Sequence, residues 1–126
     1  MYYCIELSRE TQNKILKVFN EFFAVPMDWK VYCEHITLIH SSNKDWRTVS
    51  KILMNFIGHK VSFKLNGIGY NDSVMALAVS TYTANDYAHI TVCVAPNHKP
   101  VESNDIKKWE KLYCAEEFEG VVKLKD

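Results

Sequence analysis

An α+β domain with a mainly antiparallel sheet and helices packed outside it is the fold class this sequence predicts. Three observations carry that expectation. The chain has 126 residues, enough for one compact domain, taken as 1–126, and too few for two. Its apolar pattern reads β-α-β-α-β-β-β-α-β, so strands outnumber helices and three of them run in succession. No Gly/Ser linker or shift in composition divides that run.

Each element has a local reason. Residues 2–7 place aromatic and β-branched side chains before Ser8 and read as an opening strand. Ser8 is a natural N-cap for a helix whose buried stripe is Ile15, Leu16, Phe19, Phe22 and Phe23, stopped by Val25-Pro26. Residues 30–40 read as a second strand and Ser41-Ser42-Asn43 as a turn. Trp46, Val49, Ile52, Leu53 and Phe56 then recur at helical spacing, with Gly58 at the helix end. Residues 60–69 and 73–82 form a hairpin about Tyr70-Asn71-Asp72, and residues 87–95 a further strand. After the loop Pro96–Pro100, a short helix is expected from Asp105 to about Tyr113, and a last strand over 118–124. Ser103, Asn104 or Asp105 would cap that helix.

Composition narrows the function. Hydrophobic residues make up 48% and charged residues 24%, as in a soluble globular protein, and the formal net charge is zero. A broad cationic grip on long nucleic acid is therefore disfavoured, whereas a small or end-bound phosphate needs only local donors. Cys4, Cys33, Cys93 and Cys114 form no C-x-x-C pair and read as reduced thiols of a cytoplasmic protein. No basic, apolar leader opens the chain and no run approaches the ~20 apolar residues of a membrane span.

Two tripeptides stand out, His35-Ile36-Thr37 and His89-Ile90-Thr91. Strand side chains alternate faces, so each histidine shares a face with the threonine two residues on, while Ile36 and Ile90 point the other way. The second strand is clean, with Ile90, Val92 and Val94 opposite His89, Thr91 and Cys93. In the first, Ile39 and His40 blur the pattern, and His40 falls on the apolar register as a packing histidine. Two histidines can supply a general base and a general acid near neutral pH, and two hydroxyls can hold a phosphate. Such an arrangement needs no metal and no cofactor. Cys93 has no activating motif and reads as a packing residue, so neither a nucleophilic cysteine nor a zinc site of His35, His89 and Cys93 is favoured. Lys99 and Ser103, in the loop after the second motif, are candidate substrate contacts. Trp29, Tyr32, Trp46, Tyr70 and Tyr87 are candidate base-stacking residues. His59 and His98 read as solvent-facing.

The paired tripeptides resemble the His-x-[Thr/Ser] motifs of the 2H phosphoesterase superfamily. The segments His35-Ile-Thr-Leu-Ile-His40, Asn71-Asp-Ser-Val-Met-Ala-Leu-Ala-Val79, His89-Ile-Thr-Val92 and Lys99-Pro-Val-Glu-Ser-Asn-Asp105 resemble, in order, the cyclic phosphodiesterase domain of fungal-type tRNA ligases. The resemblance implies a two-lobed α+β fold with the motifs facing across a central groove. It implies hydrolysis of RNA 2′,3′-cyclic phosphate ends to 2′-phosphates, with His35 and His89 as the acid/base pair and Thr37 and Thr91 as phosphate holders. The expectation takes His89 as the base and His35 as the acid, an order the sequence itself does not fix. Family domains sit within a longer ligase, whereas this chain is expected to stand alone. It would act as a monomer on an RNA 3′ end or a small nucleotide phosphodiester, beside separate RNA kinase and ligase activities. Cytoplasm, or host-cell cytoplasm for a viral protein, is the expected location. Degradation of 2′,5′-oligoadenylate or cyclic oligonucleotide signals, and a non-catalytic nucleotide-binding module, are the alternatives.

Overall fold

A computed structural model describes residues 1–126. Along the chain run β1 (Tyr2–Glu6), α1 (Arg9–Phe22), β2 (Lys30–Val31), β3 (His35–His40), α2 (Trp46–Leu53), β4 (Lys60–Tyr70), β5 (Val74–Val79), β6 (His89–Val94), β7 (Trp109–Lys111) and β8 (Glu117–Lys125). Every strand pairing is antiparallel. The order β6-β3-β1-β8-β4-β5 closes on itself, because β5 also pairs β6, and β2 and β7 add to β6 and β4. The architecture is thus α+β and mainly antiparallel, as expected.

Ser8 caps α1, its hydroxyl accepting the Thr11 N–H at 3.1 Å. Ile15 and Phe19 are buried, and the helix stops at Phe22, three residues earlier than the proline alone would require. Phe22 is exposed, since the extended Phe23 takes the ring contact with Phe19 instead. The helix after Trp46 ends in a 3-10 turn over Met54–Phe56, then Gly58 at φ +88°, a conformation that favours glycine. Its inner contacts come from Trp46, Val49 and Leu53, and Ile52 and Phe56 face outward.

Two expected elements do not form as read. The strand expected over 30–40 breaks at Cys33, which has a φ of +54°, although Tyr32 and Cys33 still donate to the carbonyls of Val92 and Thr91. The helix expected from Asp105 does not form. A 3-10 helix over Pro100–Asp105 precedes it, and Trp109–Lys111 extends to pair with Gly67–Gly69 of β4. The reason is tertiary: a Cβ at Gly69 would stand 2.6 Å from the Trp109 ring, and one at Gly67 3.0 Å from the Glu110 carbonyl. Those glycines open a seat for an added strand, and pairing there outweighs a marginal helix.

The main core joins β1, α1, β3, β4, β5, β6 and β8 through Ile5, Ile15, Phe19, Ile36, Phe63, Leu77, Ile90 and Phe118. No helix is long and apolar enough to cross a membrane.

Candidate active site

β3 and β6 share one register pair, Ile36 opposite Ile90, and both isoleucines are fully buried. Because the strands are antiparallel, the two tripeptides meet head to tail about that pair. His35, Thr37, His89 and Thr91 therefore all project from the opposite face, each histidine toward the other motif's threonine. All four are partly buried.

Each motif strand carries a bulge directly after its threonine. Cys4 pairs Thr37 but Tyr3 pairs Ile39, leaving Leu38 extra. Ala76 pairs Thr91 but Met75 pairs Cys93, leaving Val92 extra. An extra residue reverses the alternation beyond it. This explains the blurred pattern of the first strand: Leu38 and Ile39 are both buried and His40 turns out to the groove. It corrects two face assignments. His40 is exposed, its Nδ1 accepting the Ser42 N–H at 3.1 Å, and is not a core packing residue. Cys93 is buried in the core rather than beside His89, and burial pushes its thiol up to about 11.

The four motif side chains line a groove of about 600 Å³ with Tyr2, His40, Asn85 and Ser103. No lysine or arginine lines it. Asn85 arrives on the 80–88 loop, which is tied across β3 by Thr83 Oγ1 donating to the Thr37 carbonyl (2.9 Å) and Ala84 N–H to the Leu38 carbonyl (2.8 Å). Tyr2 packs against His35 with ring centroids 5.4 Å apart. Beyond His89 the groove meets a stack of Tyr87 on Trp109, centroids 5.1 Å apart.

His89 is held at both nitrogens. Nδ1 lies 2.8 Å from the Tyr87 carbonyl, which can only accept, so Nδ1 carries the proton. Nε2 lies 2.8 Å from Ser103 Oγ and keeps its lone pair in the neutral ring. Burial holds His89 below the usual histidine value, opposed by the Tyr87 hydrogen bond. Burial also lowers His35, opposed by the charges of Glu34 and Glu6 and reinforced by Lys125. Lys125 pairs with Glu6.

The remaining candidates divide. Ser103 reaches the site but is buried, 2% exposed, behind His89 and Thr91. It lies inside the 3-10 helix and caps no later helix. Lys99 is exposed and lies outside the groove wall; its N–H is taken by Glu102 at 2.6 Å. Of the aromatic candidates only Tyr87 borders the groove, while Trp46 packs on Tyr3 and Tyr32 lies under Lys30. His98 is exposed, as expected, and bonds Glu102. Tyr2, Asn85 and Trp109 were not singled out from sequence. Tyr2 and Trp109 reach the site only through strand pairing, and Asn85 through the loop crossing. For His40 the signal was present, as the break in alternation after Leu38. No group of three or more His, Cys, Asp or Glu side chains converges as metal ligands would.

The family model described as the fungal tRNA ligase phosphodiesterase domain matches residues 2–124. No curated protein and no solved structure matches the chain.

Proposed function

Because this chain belongs to the family of fungal tRNA ligase phosphodiesterase domains, a branch of the 2H phosphoesterases, we propose that it opens RNA 2′,3′-cyclic phosphates to 2′-phosphates by two-histidine acid/base catalysis. The enzyme is a phosphodiesterase acting on cyclic phosphate ends of RNA. The observation that carries the finer reading is the antiparallel meeting of the motifs about Ile36–Ile90, which puts two imidazoles and two hydroxyls on one groove.

The chemistry follows from that placement. A phosphate lies between the histidines; Thr37 donates to a non-bridging oxygen, and the Thr91 hydroxyl supports the charge that grows there during attack. His89 Nε2 takes a proton from water, and the hydroxide oxygen bonds to phosphorus. The P–O3′ bond breaks in line, and the His35 imidazolium protonates O3′. The product is a 2′-phosphate with a free 3′-hydroxyl; His89 leaves protonated and His35 neutral, and exchange with solvent resets both. The Tyr87 carbonyl fixes the Nε2 lone pair of His89, as a base requires. Burial lowers His35 on balance, and Glu34 and Glu6 oppose it, so the acid form is the one present on the acid side of the ordinary histidine range. No lysine or arginine stands in the groove wall, so substrate charge is met by imidazoles, hydroxyls and the Asn43, Asn85 and Asn104 amides there.

The test is incubation, in EDTA, of a short RNA ending in a 2′,3′-cyclic phosphate, with identification of the product. A 2′-phosphate supports the reading. A 3′-phosphate overturns the regiochemistry. No turnover, with cleavage of 2′,5′-oligoadenylate or a cyclic dinucleotide, moves the same site to signal degradation.

A pH dependence follows with a definite sign. The working free enzyme needs one imidazole neutral and the other charged. Burial disfavours the charged form of both, so both limbs of the kcat/KM profile move to lower pH. The expected bell has its apex on the acid side of about 6.5, the ordinary histidine value. A maximum above neutrality, from initial rates with subsaturating RNA, would count against the assignment.

A further inference from the structure

We infer that Ser103 is a positioning residue whose hydroxyl turns with the charge of His89 and couples proton uptake there to hydrogen-bond donation by Thr91. This rests on the two-histidine reading of the groove. Ser103 is the one polar residue among the fully buried ones, 2% exposed. Its Oγ lies 2.8 Å from His89 Nε2, 2.9 Å from Thr91 Oγ1 and 2.7 Å from the Pro100 carbonyl. The fold builds this contact deliberately: Pro100 starts the 3-10 helix, Glu102 caps it through the Lys99 N–H, and the turn presents Ser103 inward.

Counting hydrogens separates two states. Ser103 has one, and both Nε2 and the Pro100 carbonyl call for it. With His89 neutral, Nδ1–H is committed to Tyr87, so the serine donates to Nε2 and the Thr91 hydroxyl donates to Ser103 Oγ. When His89 is protonated, Nε2 donates to Ser103 Oγ instead. The serine hydrogen then turns to the Pro100 carbonyl, and the Thr91 hydrogen is released. Thr91 faces the groove, so that hydrogen meets the phosphate oxygen where charge grows during attack. In the neutral state the Pro100 carbonyl gives up the serine hydrogen, and in the charged state it regains it, so the cluster's hydroxyls are paired in both. The ionisable groups sharing the groove and its edge with His89 are His35, His40, Tyr2 and Asp126 across it and Asp86 and Tyr87 on the 80–88 loop; the 3-10 helix and β7 present Ser103, Asn104 and Trp109, all uncharged.

Kinetics of Ser103→Ala, Thr91→Val and the double variant, with ¹⁵N NMR of the histidine rings in substrate-free protein, test the coupling. Ser103→Ala is expected to lower kcat about 10- to 100-fold with KM within about twofold. Thr91→Val alone costs about 10²-fold; its penalty is expected to change by at least about threefold in the Ser103→Ala background, where the serine oxygen no longer holds the Thr91 hydrogen. In the NMR arm neutral wild-type His89 carries its proton on Nδ1, and Ser103→Ala displaces its titration midpoint. An unchanged kcat, an equal Thr91→Val penalty in both backgrounds, or an unmoved titration curve overturns the proposal. A neutral wild-type ring protonated on Nε2 overturns it without any variant. Failure of wild-type protein to turn over the RNA defeats the functional reading instead, and the NMR arm then decides on Ser103 by itself.

Discussion

His89→Ala and His35→Ala are each expected to lower kcat/KM on an RNA 2′,3′-cyclic phosphate by about 10²- to 10⁴-fold, the usual range for losing a positioned acid or base. The double variant is expected to fall little below the worse single one, since the two groups act as one unit and either loss already forfeits concerted transfer. Neither substitution removes a core side chain. The rings sit half-buried over the groove, and burial opposes their charged forms, so the far-UV spectrum and thermal midpoint at neutral pH should hold. A phosphodiester with a good aryl leaving group, which needs no acid, separates the roles. It should restore much of the rate of His35→Ala and little of that of His89→Ala. Retention of more than a tenth of wild-type turnover by either alanine variant would remove that histidine from the mechanism, and rescue of His89→Ala would exchange the assignments.

Ile90→Ala is expected to cost about 2–5 kcal/mol of folding stability, a large share of the roughly 5–15 kcal/mol of an ordinary domain. Ile90 is fully buried and lies between Ile36 on one side and Leu77 on the other, where three strands of the closed sheet meet. A close-packed interior relaxes only partly around a deleted side chain, so both the transfer and the cavity terms apply. Ile90→Val should cost about 0.5–1.5 kcal/mol. Urea unfolding checks both: the midpoint should fall with little change in slope. The same residue is the hinge of the site, with His89 and Thr91 on its two sides. Activity per folded molecule should therefore fall too, because a shift of about 1 Å at the reacting groups costs about 10²-fold. An alanine variant within about 1 kcal/mol of wild type would show that the Ile36–Ile90 contact does not hold the motifs together.

Much of this protein was legible along the chain because strand alternation is a local steric rule. Ile36 and Ile90 had to face the core, so His35, Thr37, His89 and Thr91 had to face away, and the structure places them so. The Ser8 cap and the Asn71-Asp72 hairpin were equally local, each set by hydrogen bonds within a few residues. Where the reading failed, a distant partner had intervened. Ile106 and Trp109 are spaced like a helix face, but Gly67 and Gly69, some forty residues earlier, offer Trp109 a strand to join.

By itself, then, the sequence determined the chemical groups and the face that carries them. It did so because the two-residue period and the burial of isoleucine need no knowledge of the neighbouring strand. Only the tertiary structure decided how the groups meet. The bulges at Leu38 and Val92 exist relative to β1 and β5, and they are what turn His40 outward and Cys93 inward. The single pairing at Ile36–Ile90 sets the histidines head to tail. Ser103 reads in the chain as a helix cap or a substrate contact, and becomes the partner of His89 and Thr91 only when the 3-10 helix packs beneath β6. Register, bulges and packed loops depend on pairings between residues far apart in the chain, and no local pattern encodes them.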